Sequence, residues 1–233
     1  MIDFIKSKWI LLTLLGGATI LSFLWLFLFN RKRLNAKWWD LLLAAISATI
    51  VGVLGTILMG LIESGFKTKD ATSLFGSIFI VPLFCLVYAK IRKLPYLTVL
   101  DVFTIVLVIS AMMARINCLI SGCCFGKYIG TSDVQYPVRE IEIGFDVIFI
   151  GVAGFCIVKE KLKNKIYFIY LISYGFIRFI LESMRYSEQS GFFHFGHAWA
   201  LLSFFGGIAL LIIQIYLEKD KNNGKNNGNK KKR

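Results

Sequence analysis

The sequence predicts an all-α, polytopic helical membrane protein with about seven transmembrane helices, its N-terminus outside and its C-terminus inside. Three observations predict it. Hydrophobic residues make up 57% of the 233 and charged residues only 18%, against about 45–50% and about 25% in soluble domains. Mean hydropathy is +0.68 with 3 prolines, a composition of long apolar helices. One bilayer crossing takes about 20 apolar residues, so the chain has room for six or seven spans and no separate soluble catalytic domain. The third observation is the alternation of cations between successive loops.

The apolar segments follow one another at residues 9–29, 41–62, 73–89, 97–119, 143–158, 166–181 and 199–217. The first is too long for the apolar core of a signal peptide. Asn30-Arg31-Lys32-Arg33 follows it in place of a small-residue cleavage site, so it reads as a retained helix. The fifth is short. Residues 1–217 therefore form a single transmembrane domain. Residues 218–233, rich in Lys, Asn and Gly, read as a disordered basic cytoplasmic tail.

Of the 27 Lys and Arg residues, eighteen fall on one side of these spans: Arg31, Lys32, Arg33 and Lys37; Lys90, Arg92 and Lys93; Lys159, Lys161, Lys163 and Lys165; and seven in the tail. Eight fall on the other side: Lys6, Lys8, Lys67, Lys69, Arg115, Lys127, Arg139 and Arg185. Cytoplasmic loops carry the excess of Lys and Arg, which sets the N-out, C-in orientation. The same alternation accounts for the net charge of +13 without nucleic acid, whose recognition needs one clustered basic surface. The inside loops are short and basic. The outside loops at 122–142 and 182–198 carry Gly, aromatic, charged and Cys residues, so function is expected at the outer face.

Tyr174, Arg178, Glu182 and Arg185 in the sixth segment are spaced 4, 4 and 3 apart, which sets them within roughly an 80° arc of one helix face. Arg178 lies about 18 Å along this helix and Arg185 about 28 Å, both in its outer half. Glu182 can pair with Arg178 at i,i+4. A charge near the bilayer centre costs about 2.5–3.5 kcal/mol or more, and a second arginine goes beyond what that ion pair explains. Planar guanidiniums make bidentate hydrogen bonds to phosphate. Arg115, about 27 Å along the fourth helix, reaches the same depth. Arg115, Arg178 and Arg185 are thus the candidate phosphate ligands.

Cys118, Cys123 and Cys124 sit at the outer end of the fourth helix, while Cys85 and Cys156 are mid-span, where Cys serves as a small hydrophobe. The outer three form a candidate thiol site. A Cys118–Cys123 or Cys118–Cys124 disulfide suits an oxidising compartment. Three closely spaced cysteines without a second pair argue against zinc, and no metal or other cofactor is expected. A nucleophilic thiol needs a nearby base. The histidines, His194 and His197, lie in the other outer loop.

These residues resemble the prolipoprotein diacylglyceryl transferase family. Tyr174-Gly175-x-x-Arg178-x-x-x-Glu182-x-x-Arg185 is similar to the family's late-helix motif at every position. Gly196-His197-x-x-x-Leu201-x-Ser203 is similar to the segment that follows. The stretch from Arg115 to Gly126 resembles the central signature, with Gly122 and Gly126 in register, and Asp101 and Tyr136-Pro137-Val138…Glu142 also fit. The resemblance implies a seven-span transferase of the bacterial cytoplasmic membrane, active at its extracytoplasmic face in lipoprotein biosynthesis. It implies phosphatidylglycerol as donor and the thiol of a lipobox-containing or other thiol-bearing protein as acceptor. On that reading Arg115, Arg178 and Arg185 hold the phosphate, Tyr174 hydrogen-bonds the headgroup and Glu182 orients Arg178, so that Tyr174, Arg178 and Glu182 form the catalytic set. The chain departs from the family pattern in four places. Cys118 stands for Asn, Cys123 for Glu, Phe75-Gly76-Ser77 for a His-Gly-Gly element and Ile57 for an Arg. Two other readings of the same residues are a non-catalytic lipid-binding membrane scaffold and a thiol–disulfide active membrane protein.

Overall fold

The computed structural model describes residues 2–66, 72–131, 133–185 and 195–230, with side chains from residue 9 to residue 220. Lys67, Lys69 and His194 lie outside the described residues. Seven helices follow in order: α1 (Ile2–Asn30), α2 (Trp38–Glu63), α3 (Phe75–Arg92), α4 (Tyr96–Ile120), α5 (Val138–Val158), α6 (Ile166–Met184) and α7 (Phe195–Lys230). All seven are long and apolar enough to cross a membrane. Among the described residues there is no strand, only two isolated bridges. The chain is a multi-pass helical membrane protein. Leu28, Leu43, Ile148 and Phe205 are each more than 60% exposed on the outside of the bundle, an apolar surface suited to lipid tails and not to water.

Helix α4 is the centre. It touches α1, α2, α3, α5 and α6, and every residue from Val99 to Ile109 is buried. Its start is set by Pro95 at the N-cap, and Pro137 holds the same place before α5. Proline lacks the N–H that a helix start leaves unpaired in any case. Pro82 is different, because it lies inside α3 and cannot donate to the carbonyl of Ile78. The Tyr167 hydroxyl of α6 donates to that carbonyl at 2.8 Å. The backbone group freed by the proline thereby becomes a contact between helices, as a membrane interior requires. Helices α2 and α3 cross in close contact: a Cβ on Gly76 would overlap the backbone carbonyl of Gly55. Small residues that let backbones meet are a standard way to pack helices in lipid.

Two boundaries differ from hydropathy. Helix α5 starts at Val138, ahead of residue 143, because charged Glu142 is buried inside it by partners on other helices. Helix α7 continues to Lys230, past residue 217. Glu218 accepts from Gln214 at 2.9 Å and pairs with Lys165 at 2.9 Å, which fixes the first turn beyond the apolar stretch to α6.

The connections after α1, α3 and α5 gather at one end of the bundle and are stitched by ion pairs and carbonyl contacts. Arg92 meets Asp40 at 3.0 Å, and Arg33 donates to the Ile157 carbonyl at 2.9 Å. Asp101, carried with the family-like motifs in the sequence, sits at this same end. Its carboxylate accepts from the backbone N–H groups of Asn164 and Ile166 at 2.5 and 3.0 Å. It therefore caps the start of α6 from α4, satisfying donors that a helix N-terminus leaves free, and lies at the opposite end from Arg115, Arg178 and Arg185.

Candidate active site

The opposite end of the bundle assembles the polar residues. Arg115 comes from the last turns of α4, Glu142 from the first turns of α5, Arg178 and Glu182 from the end of α6, and Glu63 from the end of α2. Glu142 is the hub. It is 3% exposed, with one carboxylate oxygen 2.8 Å from Arg115 Nε and the other 2.6 Å from Arg178 Nη1. Arg178 turns its second nitrogen to Glu182 at 2.6 Å, and Glu182 in turn stands 3.8 Å from Arg185. The chain Arg115–Glu142–Arg178–Glu182–Arg185 thus alternates in charge across three helices. Each member neutralises its neighbours, which is what makes five ionised groups tolerable at this depth.

Arg178, Glu182 and Arg185 lie together on one side of α6, joined by these ion pairs. The charge balance is not the one expected. Arg115 has no need of a ligand to balance it, because Glu142 does so. Hydropathy sets Glu142 just outside the fifth span, and its partnership with Arg178 spans 36 positions, which no helical spacing can announce. Arg185 has the most exposed side chain of the three guanidiniums at 26%, and Glu63 stands at the same end of the cavity. Tyr174 is also placed differently. It is 2% exposed, stacked on Tyr170 and edge-on to Phe75, and lies beneath the ion chain. It supports Arg115 from below and does not line the cavity. Phe75 supplies part of that packing. Asp146, one turn below Glu142 and 2% exposed, is a further buried carboxylate that sequence did not single out.

A cavity of about 430 Å³ opens against this network. Its deeper walls are apolar, with Leu14 and Ala18 from α1, Gly52 from α2, Val81 from α3 and Leu107 from α4. Its polar end is lined by Arg115, Arg178, Glu182, Arg185 and Glu63, the last held by the Ser73 hydroxyl at 2.7 Å. Ile57 lies on the wall. At the rim, Gly196 packs directly on Glu182: a Cβ there would stand 2.6 Å from its carboxylate oxygen. His197 beside it is buried at 1% and packs edge-on to Phe179.

The link between α4 and α5 completes the rim. Its backbone pairs with the end of α6, with Gly126 opposite Arg185 and the Lys127 N–H donating to the Met184 carbonyl at 2.8 Å. The Sγ atoms of Cys118, Cys123 and Cys124 come within 4.8 Å of one another, and all three are free thiols here. Cys124 adopts a left-handed φ of 59°, uncommon for a residue with a side chain. Arg185 Nη2 donates to its sulfur at 2.9 Å. Arg139, another residue that sequence did not single out, holds the turn by donating to the carbonyl of Cys123 at 3.1 Å and that of Cys118 at 3.4 Å. A hydrogen bond from the Cys118 thiol and then the Arg185 charge pull the Cys124 thiol down from its ordinary range to about 5. Burial pushes Cys123 up.

A thiol held this way stays ionised at neutral pH. Alkylation of Cys124 by a small maleimide is expected to remain fast down to about pH 5 and that of Cys123 to fade below its raised pKa, while Cys85 and Cys156 stay unlabelled. Cys118→Ala, which removes the donor, should move the Cys124 profile upward more than Arg185→Gln does. Site-resolved mass spectrometry across a pH series checks this, and equal profiles for Cys123 and Cys124 would contradict it.

The prolipoprotein diacylglyceryl transferase family model matches residues 4–213. Two proteins named phosphatidylglycerol–prolipoprotein diacylglyceryl transferase, from two strains of Dehalococcoides mccartyi, are each 21% identical to the chain over 207 residues, covering 78% of it and 79% of their own length. With the match running through all seven helices and through every member of the buried ion chain, this chain belongs to the prolipoprotein diacylglyceryl transferase family.

Proposed function

We propose that the protein transfers a diacylglyceryl group from phosphatidylglycerol to a cysteine thiol of a lipobox-containing or similar acceptor protein, at the extracytoplasmic face of a bacterial cytoplasmic membrane. The observation that carries this reading is the cavity: apolar at depth, and closed at its polar end by the guanidinium groups of Arg115, Arg178 and Arg185. A phospholipid is apolar at its tails and singly negative at its phosphodiester. Arg115, Arg178 and Arg185 line the cavity and are the groups that can hold the phosphate, while Glu142 positions Arg178 and Arg115 together, and Tyr174 packs beneath Arg115. As the carbon–oxygen bond to phosphate breaks, negative charge grows on the leaving glycerol phosphate, and preorganised donors stabilise such charge without having to reorganise.

The test is transfer from phosphatidylglycerol to a lipobox peptide by purified protein, together with complementation of cells depleted of their own transferase. Thioether-linked diacylglyceryl on the peptide supports the reading; well-expressed protein that transfers nothing and retains no phosphatidylglycerol opposes it. Orientation is tested separately. Reporter fusions at Lys37 and Lys163 should read cytoplasmic, and those at Phe66 and Asp133 external, following the cation split between the two sides. An external signal at Lys163 would turn the site to the wrong face.

A further inference from the structure

Alkylating a thiol requires its sulfur as thiolate, and an ordinary cysteine, with a pKa of about 8.5, is mostly protonated at neutral pH. Something must take that proton. Among the described residues the cavity is lined by no histidine. At the polar end of that cavity stand Cys118 and Cys124, with exposed Cys123 beside them.

Their sulfurs lie within 4.8 Å of one another. A tetrahedral zinc–thiolate centre, with bonds of about 2.3 Å, sets its sulfurs about 3.8 Å apart, so closing the triad needs side-chain shifts of about an ångström. The charge also fits. Three thiolates and one divalent ion sum to a single negative charge, and Arg185, already 2.9 Å from the Cys124 sulfur, supplies the opposite one. Arg139 fixes the backbone of the turn through the carbonyls of Cys118 and Cys123. Three protein ligands leave the fourth position open, the arrangement of a reactive site and not of a closed structural one.

We propose that Cys118, Cys123 and Cys124 bind one thiophilic divalent ion of the zinc class, and that its open position, facing the cavity, takes the acceptor's thiol. The role in transfer rests on the function proposed above. On coordination the acceptor thiol loses its proton to water, because a metal-bound thiol is deprotonated outright. The sulfur then attacks the glyceryl carbon bearing the phosphate ester. A carbon–sulfur bond forms, the carbon–oxygen bond breaks, and the oxygen leaves with its electron pair as glycerol phosphate. The product thioether carries no charge, binds the ion weakly and departs. No oxidant or reductant is required.

The experiment uses the full chain, reduced and purified in detergent, titrated with Co²⁺ and then with Zn²⁺ in competition. One equivalent of Co²⁺ should bind with a sulfur-to-cobalt charge-transfer band and tetrahedral ligand-field bands, and Zn²⁺ should displace it. Cys118→Ser, Cys123→Ser and Cys124→Ser should each weaken binding by more than the about 10–100-fold that loss of an outer-shell partner costs, and Cys85→Ser and Cys156→Ser should not. Cys123→Ser alters an exposed side chain and so keeps the test valid if the other two variants fold poorly. A lipobox peptide should intensify the charge-transfer band of the cobalt form, and its Cys→Ser analogue should leave it unchanged. The proposal is overturned by no stoichiometric binding to protein with three verified free outer thiols, by binding indifferent to Cys123→Ser, by a native disulfide within the triad, or by a cobalt spectrum blind to the peptide. Phosphatidylglycerol retention by the metal-free protein is measured alongside. Its loss with an intact peptide response counts against the phospholipid donor and not against the metal site.

Discussion

Glu142→Gln should be among the most damaging single substitutions in this protein. It leaves Arg115 and Arg178 buried, at 8% and 5% exposure, facing one neutral amide. Removing one partner of a buried pair costs about 3–5 kcal/mol because the charge left behind is uncompensated. Arg178 keeps Glu182 at 2.6 Å, whereas Arg115 has no second carboxylate in contact among the described residues. Thermal unfolding in micelles should fall markedly, and diacylglyceryl transfer should drop below detection. Arg115→Gln combined with Glu142→Gln should recover part of the stability and none of the activity, since the charge imbalance is relieved while the positioning of Arg178 is not. A Glu142→Gln variant with wild-type melting and transfer would show that the ion chain is not what holds this end of the bundle.

Arg178→Lys and Arg178→Gln should each abolish phospholipid-dependent activity while the protein still inserts. Arg178 makes two contacts at once, Nη1 to Glu142 and Nη2 to Glu182, and faces the cavity as well. A lysine ammonium is a point charge that cannot reproduce this fork. Native mass spectrometry of matched preparations should show phosphatidylglycerol retained by the wild type and lost in both variants. Arg185→Gln should weaken retention less, because water screens the rim. Retention at wild-type level in Arg178→Gln would reduce the face from Tyr174 to Arg185 to a structural seam.

Much of this architecture is legible in the amino-acid sequence. Hydropathy alone fixes seven spans, because a bilayer demands apolar length and little else. The 4, 4, 3 spacing of Tyr174, Arg178, Glu182 and Arg185 follows from helical geometry, which is local. What depends on other helices is not legible there. Glu142 looks like a loop carboxylate until α4 and α6 are laid beside it, and the same charge that hides the start of α5 from hydropathy is the one that joins the site. Tyr174 shares the arginine face in projection, yet the neighbouring rings of Tyr170 and Phe75 bury it. Asp101 belongs to the motif set by sequence and to the far end of the bundle by position. The crowding of the three outer cysteines is visible in their spacing. That their sulfurs converge depends on the left-handed turn at Cys124 and on Arg139, and no spacing rule reports either.

The pairing of the ion chain also bears on how the protein enters the membrane during synthesis. Helices emerge in order, and an arginine alone in lipid costs about 2.5–3.5 kcal/mol or more. Arg178 brings its own carboxylate on the same helix, four residues on, so α6 can insert already compensated. Arg115 has none within reach on α4, where the carboxylate of Asp101 caps α6 at the other end, and its partner arrives only with α5. Helix α4 and helix α5 are therefore best delivered as one hairpin, joined by the link at 121–137 that also carries Cys123 and Cys124. A ribosome stalled between the two would leave a guanidinium waiting at the bilayer's edge for Glu142 to be made.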